Sequence, residues 1–446
     1  MIHPKKLVLL LFILSFFNPM AGTLVIPALP FIAQDLHLSS SEASWIFIGY
    51  EVMLIAGSVI YGKLAQSIKL RSLFTASIAM AAAGGILAIF SSNLLSLVLA
   101  RMLQGAALSA PIPLAMIIIN QYLPREERKK ALTYIALAIT LGTGISPIIG
   151  GIATSLFGWK SIFALIALVV IFLPFVRLIP DSKVEKAAFP FAASGLLIAA
   201  FLLTLYGLHG HYQFLFASIA AWGLFFAVNH KQAALVDITA FRNKTVAIIS
   251  ALNLLLMLVI NSLFFITPIF LENLNDLSSI EIGLILLPGA ILSIVSVKFI
   301  GKAASKIGAG KMLPLSIGVL GVGVAVLLLG IGNSVVLVSF AFLFIYVGFG
   351  TFNSELSNFT SVELPKKIMV EGIGLSNLFF FTGATFGPAI MGIFVDSDAV
   401  LATPSFTFST YHLALIGMAV ILLGMLLLVI RLIRTAQKVQ ESRGAA

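Results

Sequence analysis

Long apolar stretches recur along the whole chain, and each is about as long as a helix that crosses a lipid bilayer. A spanning α-helix needs roughly 20 apolar residues, because it rises 1.5 Å per residue through a hydrocarbon core about 30 Å thick. Fourteen stretches meet this requirement, so the sequence predicts fourteen transmembrane helices. They lie at about residues 7–31, 43–66, 72–92, 94–122, 131–156, 160–180, 189–208, 212–229, 245–271, 280–303, 311–331, 334–362, 369–395 and 411–434.

The composition indicates that lipid, not water, surrounds the fold. Of the 446 residues 60% are hydrophobic and only 10% are charged, whereas soluble proteins average about 25% charged residues. We therefore predict an all-α integral membrane protein. The chain has no cysteine, and it shows no phosphate-binding loop, zinc-ligand spacing or nucleophile elbow. We expect no metal, no cofactor and no enzymatic activity, and an ion gradient as the energy source.

Basic residues lie almost entirely on alternate loops, while the opposite loops carry acids such as Asp35, Glu272 and Asp396. Positive charge stays on the cytoplasmic side of a membrane protein. This pattern predicts a multi-pass protein of the cell membrane with both termini in the cytoplasm. It also explains the formal net charge of +10 without a nucleic-acid partner. The basic loop positions include Lys5, Lys6, Lys69, Arg71, residues 124–130, Lys183, Lys186, residues 231–244, residues 302–311, Lys366, Lys367 and the tail from Arg431.

An internal repeat divides the chain. The stretch LGTGISPIIGG at 141–151 aligns with TGATFGPAIMG at 382–392, and GKLAQSIKLRSLF at 62–74 aligns with GKAASKIGAGKML at 301–313. The two offsets, 241 and 239 residues, are nearly equal, which indicates two related six-helix halves in parallel orientation. The seventh and eighth spans then form an inserted hairpin. The predicted domains are an N-terminal bundle at 1–186, the hairpin at 187–230, a C-terminal bundle at 231–434 and a cytoplasmic tail at 435–446.

The fifth span carries an unusual run of glycine around a proline. Gly142, Ser146 and Gly150 are spaced by four and share one helix face, where small residues let another helix approach closely. Pro147 bends the helix and frees a carbonyl. The run serves either tight packing alone or a close interface between the halves that opens and shuts; its repetition in span 13 favours the second. The predicted conformational residues in these two spans are Gly142, Gly144, Ser146, Pro147, Gly150, Gly151, Gly383, Gly387 and Pro388.

Several motifs resemble those of the major facilitator superfamily, in its fourteen-helix branch of drug:proton antiporters. GTGISPIIGG, at 142–151, is similar to the family's antiporter motif, and RMLQGAA, at 101–107, is similar to its helix 4 motif. GKLAQSIKLR, at 62–71, occupies the loop 2–3 motif. TLVIPALP, at 23–30, resembles the helix 1 signature, and FGWKSIF, at 157–163, resembles the start of helix 6.

The resemblance implies alternating access around a cavity lined by spans 1, 4, 9 and 12, as in tetracycline and multidrug exporters that cause antibiotic resistance. It adds Gly62 and Arg71 to the conformational residues and assigns Arg101 to proton transfer near helix 1. Departures from the family pattern weaken the charge latch of loop 2–3, where Gln66, Lys69 and Leu70 replace its usual residues. The usual acids of helix 1 and helix 13 are replaced by Ala21 and Ala384.

Three ionisable residues lie deep in the predicted spans: Glu51, Arg101 and Glu355. An unpaired charge costs about 2.5 to 3.5 kcal/mol at a helix centre, so such residues are functional candidates. Loss of hydration favours a neutral carboxyl, which can then bind and release a proton. We predict that all three couple transport to protons. The alternatives are a static pair of Glu51 with Arg101, a Glu51 that faces lipid, and a Glu355 that only caps or packs.

Four asparagines, Asn18, Asn261, Asn353 and Asn358, are further polar points on cavity-lining spans. With Glu355 they are the predicted substrate-binding residues, although hydrogen bonding between helices is the alternative for each.

The sequence thus predicts a secondary active transporter that exports a hydrophobic small molecule or drug, neutral or cationic, in exchange for protons and works as a monomer. The alternative is a proton-independent exporter or facilitator of a small metabolite. A respiratory-complex subunit is disfavoured because no lysine lies at mid-membrane.

Overall fold

The computed structural model describes residues 4–180, 189–229, 235, 238–364, 369–397, 401–403 and 406–444. Within them the chain is almost wholly helical, with three short 3₁₀ segments at Ile26–Ala28, Leu168–Leu178 and Ile238–Arg242. One antiparallel pair of short strands, β1 (Leu401–Thr403) and β2 (Phe406–Phe408), precedes the last helix. The helices are α1 (Pro4–Thr23), α2 (Leu29–Asp35), α3 (Ser40–Ser67), α4 (Leu70–Ile89), α5 (Leu94–Leu108), α6 (Pro111–Tyr122), α7 (Arg125–Phe157), α8 (Ser161–Ala167), α9 (Phe191–Leu208), α10 (Gln213–Asn229), α11 (Lys244–Asn275), α12 (Ser279–Ile307), α13 (Ala309–Gly330), α14 (Val335–Glu363), α15 (Met369–Asp396) and α16 (Thr410–Gly444).

Twelve helical stretches of the described chain are long and apolar enough to cross a membrane, rather than the fourteen expected. Two further apolar helical stretches, Gln213–Asn229 and Ser279–Ser293, are shorter and lie where the eighth and tenth spans were predicted. Length and apolarity therefore establish an all-helical, multi-pass membrane fold of about twelve spans, and they do not support a count of fourteen.

The fourth span is broken between α5 and α6. Pro111 has no N–H to donate to the carbonyl of Ala107, four residues earlier. That carbonyl accepts the hydroxyl of Ser77 on α4, at 2.8 Å, and the backbone N–H of Ala110, at 3.3 Å. The next carbonyl, of Leu108, accepts the side-chain amide of Asn18 on α1, at 2.7 Å. Side chains from two neighbouring helices thus satisfy the backbone acceptors that the break exposes, as a membrane interior requires.

The described chain forms two compact units. The first contains Met1–Leu235 and Ser278–Gly283, and the second contains Val236–Leu277 and Leu284–Ala446. The hairpin of α9 and α10 groups with the first unit, where α9 packs along α10 and on α3. The boundaries predicted at 186/187 and 230/231 fall outside the described residues. α16 continues through Gly444, so it includes most of the predicted tail at 435–446.

Local geometry repeats between the halves at the predicted offset. His37 and Asp276, 239 residues apart, both adopt left-handed backbone, with φ of 53° and 51°. Two residues later, in each half, a serine caps the start of a helix in the same reciprocal way: Ser39 caps α3 and Ser278 caps α12. The backbone N–H of Ser39 donates to the Glu42 carboxylate at 2.9 Å, and that of Ser278 donates to Glu281 at 2.8 Å. Both are capping boxes, the helix start that is favoured when a serine is followed three residues later by a glutamate.

Helix contacts repeat as well. A Cβ on Gly84 of α4 would lie 3.0 Å from the carbonyl oxygen of Ala100 and 2.8 Å from the Gln104 side chain. A Cβ on Gly323 of α13 would lie 3.1 Å from the oxygen of Ala341 and 2.7 Å from the Ile345 side chain. Every residue of the second set follows its counterpart by 239 or 241 positions. The internal repeat is therefore structural, and equivalent positions can be compared across it.

Candidate proton-coupling and substrate sites

Arg101 on α5 is the centre of a buried polar cluster in the first unit, and its side chain has no exposed surface. Its Nε donates to the carbonyl of Ile46 on α3, at 3.1 Å. Its Nη1 donates to the carbonyl of Ala21 on α1, at 2.9 Å, and to the Gln104 side chain one turn along α5, at 2.9 Å. The guanidinium thus joins three helices through neutral acceptors.

The ring of Tyr50, on α3, lies against the same guanidinium, with 4.3 Å between the ring centroid and Cζ of Arg101. Such cation–π contact stabilises a charge that has lost its hydration. Gly105 makes this approach possible, because a Cβ there would collide with the carbonyl of Tyr50. The Tyr50 hydroxyl donates to the backbone carbonyl of Asn18, at 2.6 Å.

Glu51 follows Tyr50 and is half-buried near α1, where a Cβ on Gly22 would be 4.0 Å from its Oε1. Its charge interacts with that of Arg101. However, the described hydrogen bonds of Arg101 go to two carbonyls and Gln104 rather than to Glu51. The Nη2 of Arg101 and the Nε2 of Gln104 are buried without a partner among the described residues. The cluster therefore contains two buried donors without a hydrogen-bond partner among the described residues. It also contains the carboxylate of Glu51, which interacts electrostatically with Arg101 and makes no described hydrogen bond to it.

Asn18 has a structural task in this cluster. Its side-chain amide donates to the backbone carbonyl of Leu108 at the end of α5, and its backbone carbonyl accepts the hydroxyl of Tyr50. Both contacts are hydrogen bonds between helices, which was the alternative to substrate binding for this residue.

In the second unit, Glu355 on α14 is only 4% exposed, and its carboxylate accepts a hydrogen bond from the Asn358 side chain one turn further along. Asn353 is half-buried and its carbonyl accepts the Ser357 hydroxyl, at 2.8 Å. Asn261 on α11 is also half-buried and donates to its own helix at Met257, at 3.1 Å. The structure thus brings Glu355 and Asn358 together, while each of the other two asparagines bonds within its helix.

The repeat shows that the buried charges are not duplicated. Arg101 and Gln104 correspond to Phe342 and Ile345, and Glu51 corresponds to Ala290. Conversely, Glu355 corresponds to Leu114. Each half therefore keeps the shared helix contacts but carries its own polar group at its own depth.

The small residues of α7 pack against α1. A Cβ on Gly142 would lie 2.7 Å from the carbonyl oxygen of Phe16, and one on Gly150 would collide with the carbonyl of Leu24. Ser146, between them, donates its hydroxyl to the carbonyl of Gly142. Gly144 and Pro147 are buried on the same helix. The face of Gly142 and Gly150 therefore meets α1 and the turn after it. Gly151 and Pro147 meet the start of α12 instead: a Cβ on Gly151 would lie 2.5 Å from the carbonyl oxygen of Ser279, and one on Gly283 would lie 2.9 Å from that of Pro147.

The second half repeats this contact between α15 and α11. A Cβ on Gly383 would collide with the carbonyl of Leu254, and a Cβ on Gly387 would lie 2.6 Å from the carbonyl oxygen of Leu258. Pro388 is buried next to them. The other two conformational residues lie elsewhere: nothing is within 4 Å of a Cβ on Gly62, and Arg71 donates to the carbonyls of Ile179, at 2.9 Å, and Arg177, at 3.3 Å.

Sequence reasoning gave no role to Tyr50 or Gln104. The available signal was spacing: Gln104 is three residues after Arg101 and so shares its helix face. The backbone acceptors of Arg101 had no signal in the sequence.

Two related halves of long apolar helices, with close glycine contacts and buried charges, define a multi-pass membrane protein with an internal repeat. The chain belongs to the Major Facilitator Superfamily, which it matches over residues 11–388. The chain is thus a transporter of this family and not an enzyme.

Curated relatives are distant. The chain is 23% identical over 389 residues to the riboflavin transporter RibZ of Clostridioides difficile, covering 83% of this chain and 84% of that protein. It is 28% identical over 322 residues to the tetracenomycin C resistance and export protein of Streptomyces glaucescens, covering 67% and 58%. It is 24% identical over 311 residues to the putative multidrug resistance protein MdtD of Escherichia coli, covering 67% and 66%.

Solved structures match the fold. A mutant of the nucleoside transporter NupG superposes with a TM-score of 0.69 at 15% identity, covering 96% of this chain and 99% of that one. The D-xylose–proton symporter gives 0.71 at 13% identity, covering 96% and 97%.

Proposed function

We propose that the protein exports a hydrophobic or cationic small molecule across the cell membrane, by alternating access and in exchange for protons. Both termini lie in the cytoplasm and the monomer is the working unit. The export direction is supported by two relatives that carry resistance or export in their names. The fourteen-span arrangement is part of the proposal, and it is supported by the full 29-residue length of α12.

The observation that carries the proposal is the electrostatic interaction of Glu51 with Arg101, whose Nη2 is buried without a hydrogen-bond partner among the described residues. When Glu51 is deprotonated, its negative charge is attracted to this free donor, which draws α3 and α5 together. When Glu51 is protonated, that attraction is lost and the guanidinium keeps only its neutral acceptors. Proton binding thereby changes the contacts between helices, which coupling to a conformational change requires.

Substrate contact is assigned to the second unit. Glu355 offers a carboxylate oriented by Asn358, and the side-chain amides of Asn353 and Asn261 are the further polar groups assigned to the substrate. A carboxylate in a bilayer attracts a cation because few other groups there can balance its charge.

The test measures uptake into inverted membrane vesicles along an imposed proton gradient, with ethidium as a lipophilic cation and riboflavin as a neutral planar compound. Glu51→Gln keeps the shape but removes titration, so it should stop accumulation while downhill exchange continues. Glu355→Gln should weaken ethidium uptake more than riboflavin uptake. Glu42→Gln, on the exposed start of α3, is the matched control and should behave as wild type. Wild-type, pH-dependent uptake by both Glu51→Gln and Glu355→Gln would refute the assignment.

A proton-independent facilitator of a small metabolite is the second candidate. It is favoured by Ala21 and Ala384, which stand where the family often has acids, and by the riboflavin transporter among the relatives. Two results together would select this candidate. Riboflavin counterflow would not change with pH across the range in which carboxyls and histidines titrate, and neither probe would accumulate along the gradient.

A further inference from the structure

The hairpin of α9 and α10 meets α3 through one histidine. Nε2 of His209 lies 3.0 Å from the hydroxyl oxygen of Ser44, and Nδ1 lies 2.7 Å from the carbonyl oxygen of Leu205. The Ser44 side chain is fully buried. The His209 ring is also 5.2 Å from the ring of Trp45, between centroids. This contact is independent of the cluster around Arg101.

The hydrogen count at this contact depends on the charge of the imidazole. A carbonyl only accepts, so Nδ1 carries a hydrogen that it donates to Leu205. The Ser44 hydroxyl lies 2.7 Å from the carbonyl of Ser41, to which it donates its single hydrogen. It must then accept from Nε2, which therefore also needs a hydrogen. All three contacts are satisfied together only when the imidazole is doubly protonated.

In neutral His209 with a hydrogen on Nδ1, Nε2 becomes an acceptor. Ser44 must then turn its hydrogen to Nε2 and withdraw it from Ser41. The neutral ring also loses the attraction between a cation and the face of Trp45. Protonation therefore keeps the hydrogen bond between the hairpin and α3, makes it charge-assisted and adds the attraction to Trp45, while Ser44 keeps its bond to Ser41 within α3.

Other titratable groups near this contact belong to the same elements. On α3 the nearest to this end is Glu42, whose carboxylate accepts the Ser39 backbone N–H. In the hairpin they are Tyr206, His211 and Tyr212, of which His211 stacks on Tyr206 at 4.2 Å. His211 and Tyr212 are exposed to solvent, and the described residues of α10 bring no charged side chain to the contact.

We propose that protonation of His209 locks the α9–α10 hairpin onto α3, as a pH-sensitive latch. The latched helix is the one that carries Tyr50 and Glu51, about two turns beyond Ser44. Under the proposed topology the latch faces the outside, where the pH is lower during proton-driven export. Its chemistry does not depend on the transport reaction, so the latch and the proposed function can fail separately.

Fluorescence of the full-length protein in detergent micelles tests the latch, because a protonated imidazole next to an indole quenches it. The protein has three tryptophans, so Trp45→Phe identifies the contribution of Trp45. We expect emission of wild type to fall as the pH is lowered from about 8 to about 5, with a midpoint in the range of histidine. The fall should disappear in Trp45→Phe and His209→Gln and persist in His211→Gln. In Ser44→Ala it should persist with its midpoint at lower pH.

A distance measurement covers variants that alter the fold. The natural chain has no cysteine, so spin labels at Leu38 and Tyr212 can be introduced without removing any. The distribution of distances should narrow on acidification in the labelled protein and stay unchanged with pH when His209→Gln is added. Trp45 emission that does not change with pH, or distance distributions that respond equally with and without His209, would overturn the proposal.

Discussion

At the scale of single residues, the contacts of Arg101 depend on the shape of its head group as well as its charge. The guanidinium directs Nε and Nη1 to acceptors on three helices at once, and its flat face stacks on Tyr50. A lysine ammonium is a point charge on a flexible stem and cannot reproduce this planar fork.

Arg101→Lys should therefore lower both thermal stability and gradient-driven uptake, although it keeps the positive charge. The loss of two or three buried hydrogen bonds to a charged group corresponds to about 3 to 9 kcal/mol, at about 1.5 to 3 kcal/mol each. Unfolding in detergent, followed by light scattering, gives the stability, and vesicle uptake gives the function. Arg128→Lys is the control, because Arg128 makes a single described bond to Leu123. Equal behaviour of the two variants would show that only charge matters at Arg101.

Rarity identified the charged residues from the sequence, since Glu51, Arg101 and Glu355 stand out among apolar neighbours. Their partners were not predictable. The acceptors of Arg101 are the backbone carbonyls of Ile46 and Ala21, which every residue carries and which only the packing of helices selects. The roles of these residues in coupling and binding stay predictions.

At the scale of helices, glycine sets how closely the first and fifth helices of each half approach. The sequence revealed the small face of α7 and its repetition in α15, and the moving interface between halves that it favoured stays a prediction. In the structure Gly142 and Gly150 pack on α1 and the turn after it, and Gly383 and Gly387 pack on α11. A spacing of four residues specifies a close helix contact without specifying which helix makes it.

Gly142→Leu should abolish transport and lower stability, because a side chain at this position meets the backbone of Phe16 and the ring of Pro19, each 2.7 Å from its Cβ. Gly383→Leu should act in the same way through Leu254. Gly223→Leu, on α10, should be tolerated, since nothing lies within 4 Å of a Cβ at that position. Uptake, corrected for the amount of inserted protein, measures the effect. Activity of Gly142→Leu equal to that of Gly223→Leu would contradict the close contact.

The broken fourth span makes a second prediction at this scale. Ser77→Ala removes the shorter of the two hydrogen bonds to the Ala107 carbonyl and leaves the one from the Ala110 N–H, so stability should fall by about 0.5 to 1.5 kcal/mol. The repeat supplies the control: Ser316, its equivalent, donates to Leu313 of its own helix. Ser316→Ala should therefore lower stability less. Thermal unfolding of the two variants, measured side by side, gives the comparison. Equal losses of stability would show that the break needs no support from α4.

At the scale of the whole molecule, hydropathy predicted the all-helical membrane fold, and sequence similarity between the halves predicted the repeat. The number of spans was harder to predict. The helix Gln213–Asn229 is near the minimum length for a bilayer, where tilt and flanking residues decide whether a helix spans.

Reporter fusions distinguish the possible topologies. We expect a fusion after residue 446 to be cytoplasmic and one in the turn at 209–213 to be external, because basic residues flank the first and acids or neutral residues the loops on the other side. Accessibility of the reporters to an impermeant reagent in intact cells gives the answer. Both reporters on one side would exclude the fourteen-span arrangement.

The unequal distribution of charge over equivalent positions has a consequence for how the gene tolerates mutation. The glycines at 84 and 323, and those at 142 and 383, are each confined by the backbone of a neighbouring helix. A saturation scan should therefore give matching profiles of tolerated substitutions within each pair. The pairs 101 and 342, or 114 and 355, answer to different chemistry and should give unrelated profiles. Ancestry and specialisation would then be separable from fitness data alone: correlated columns trace what duplication preserved, and uncorrelated ones trace what each copy acquired afterwards.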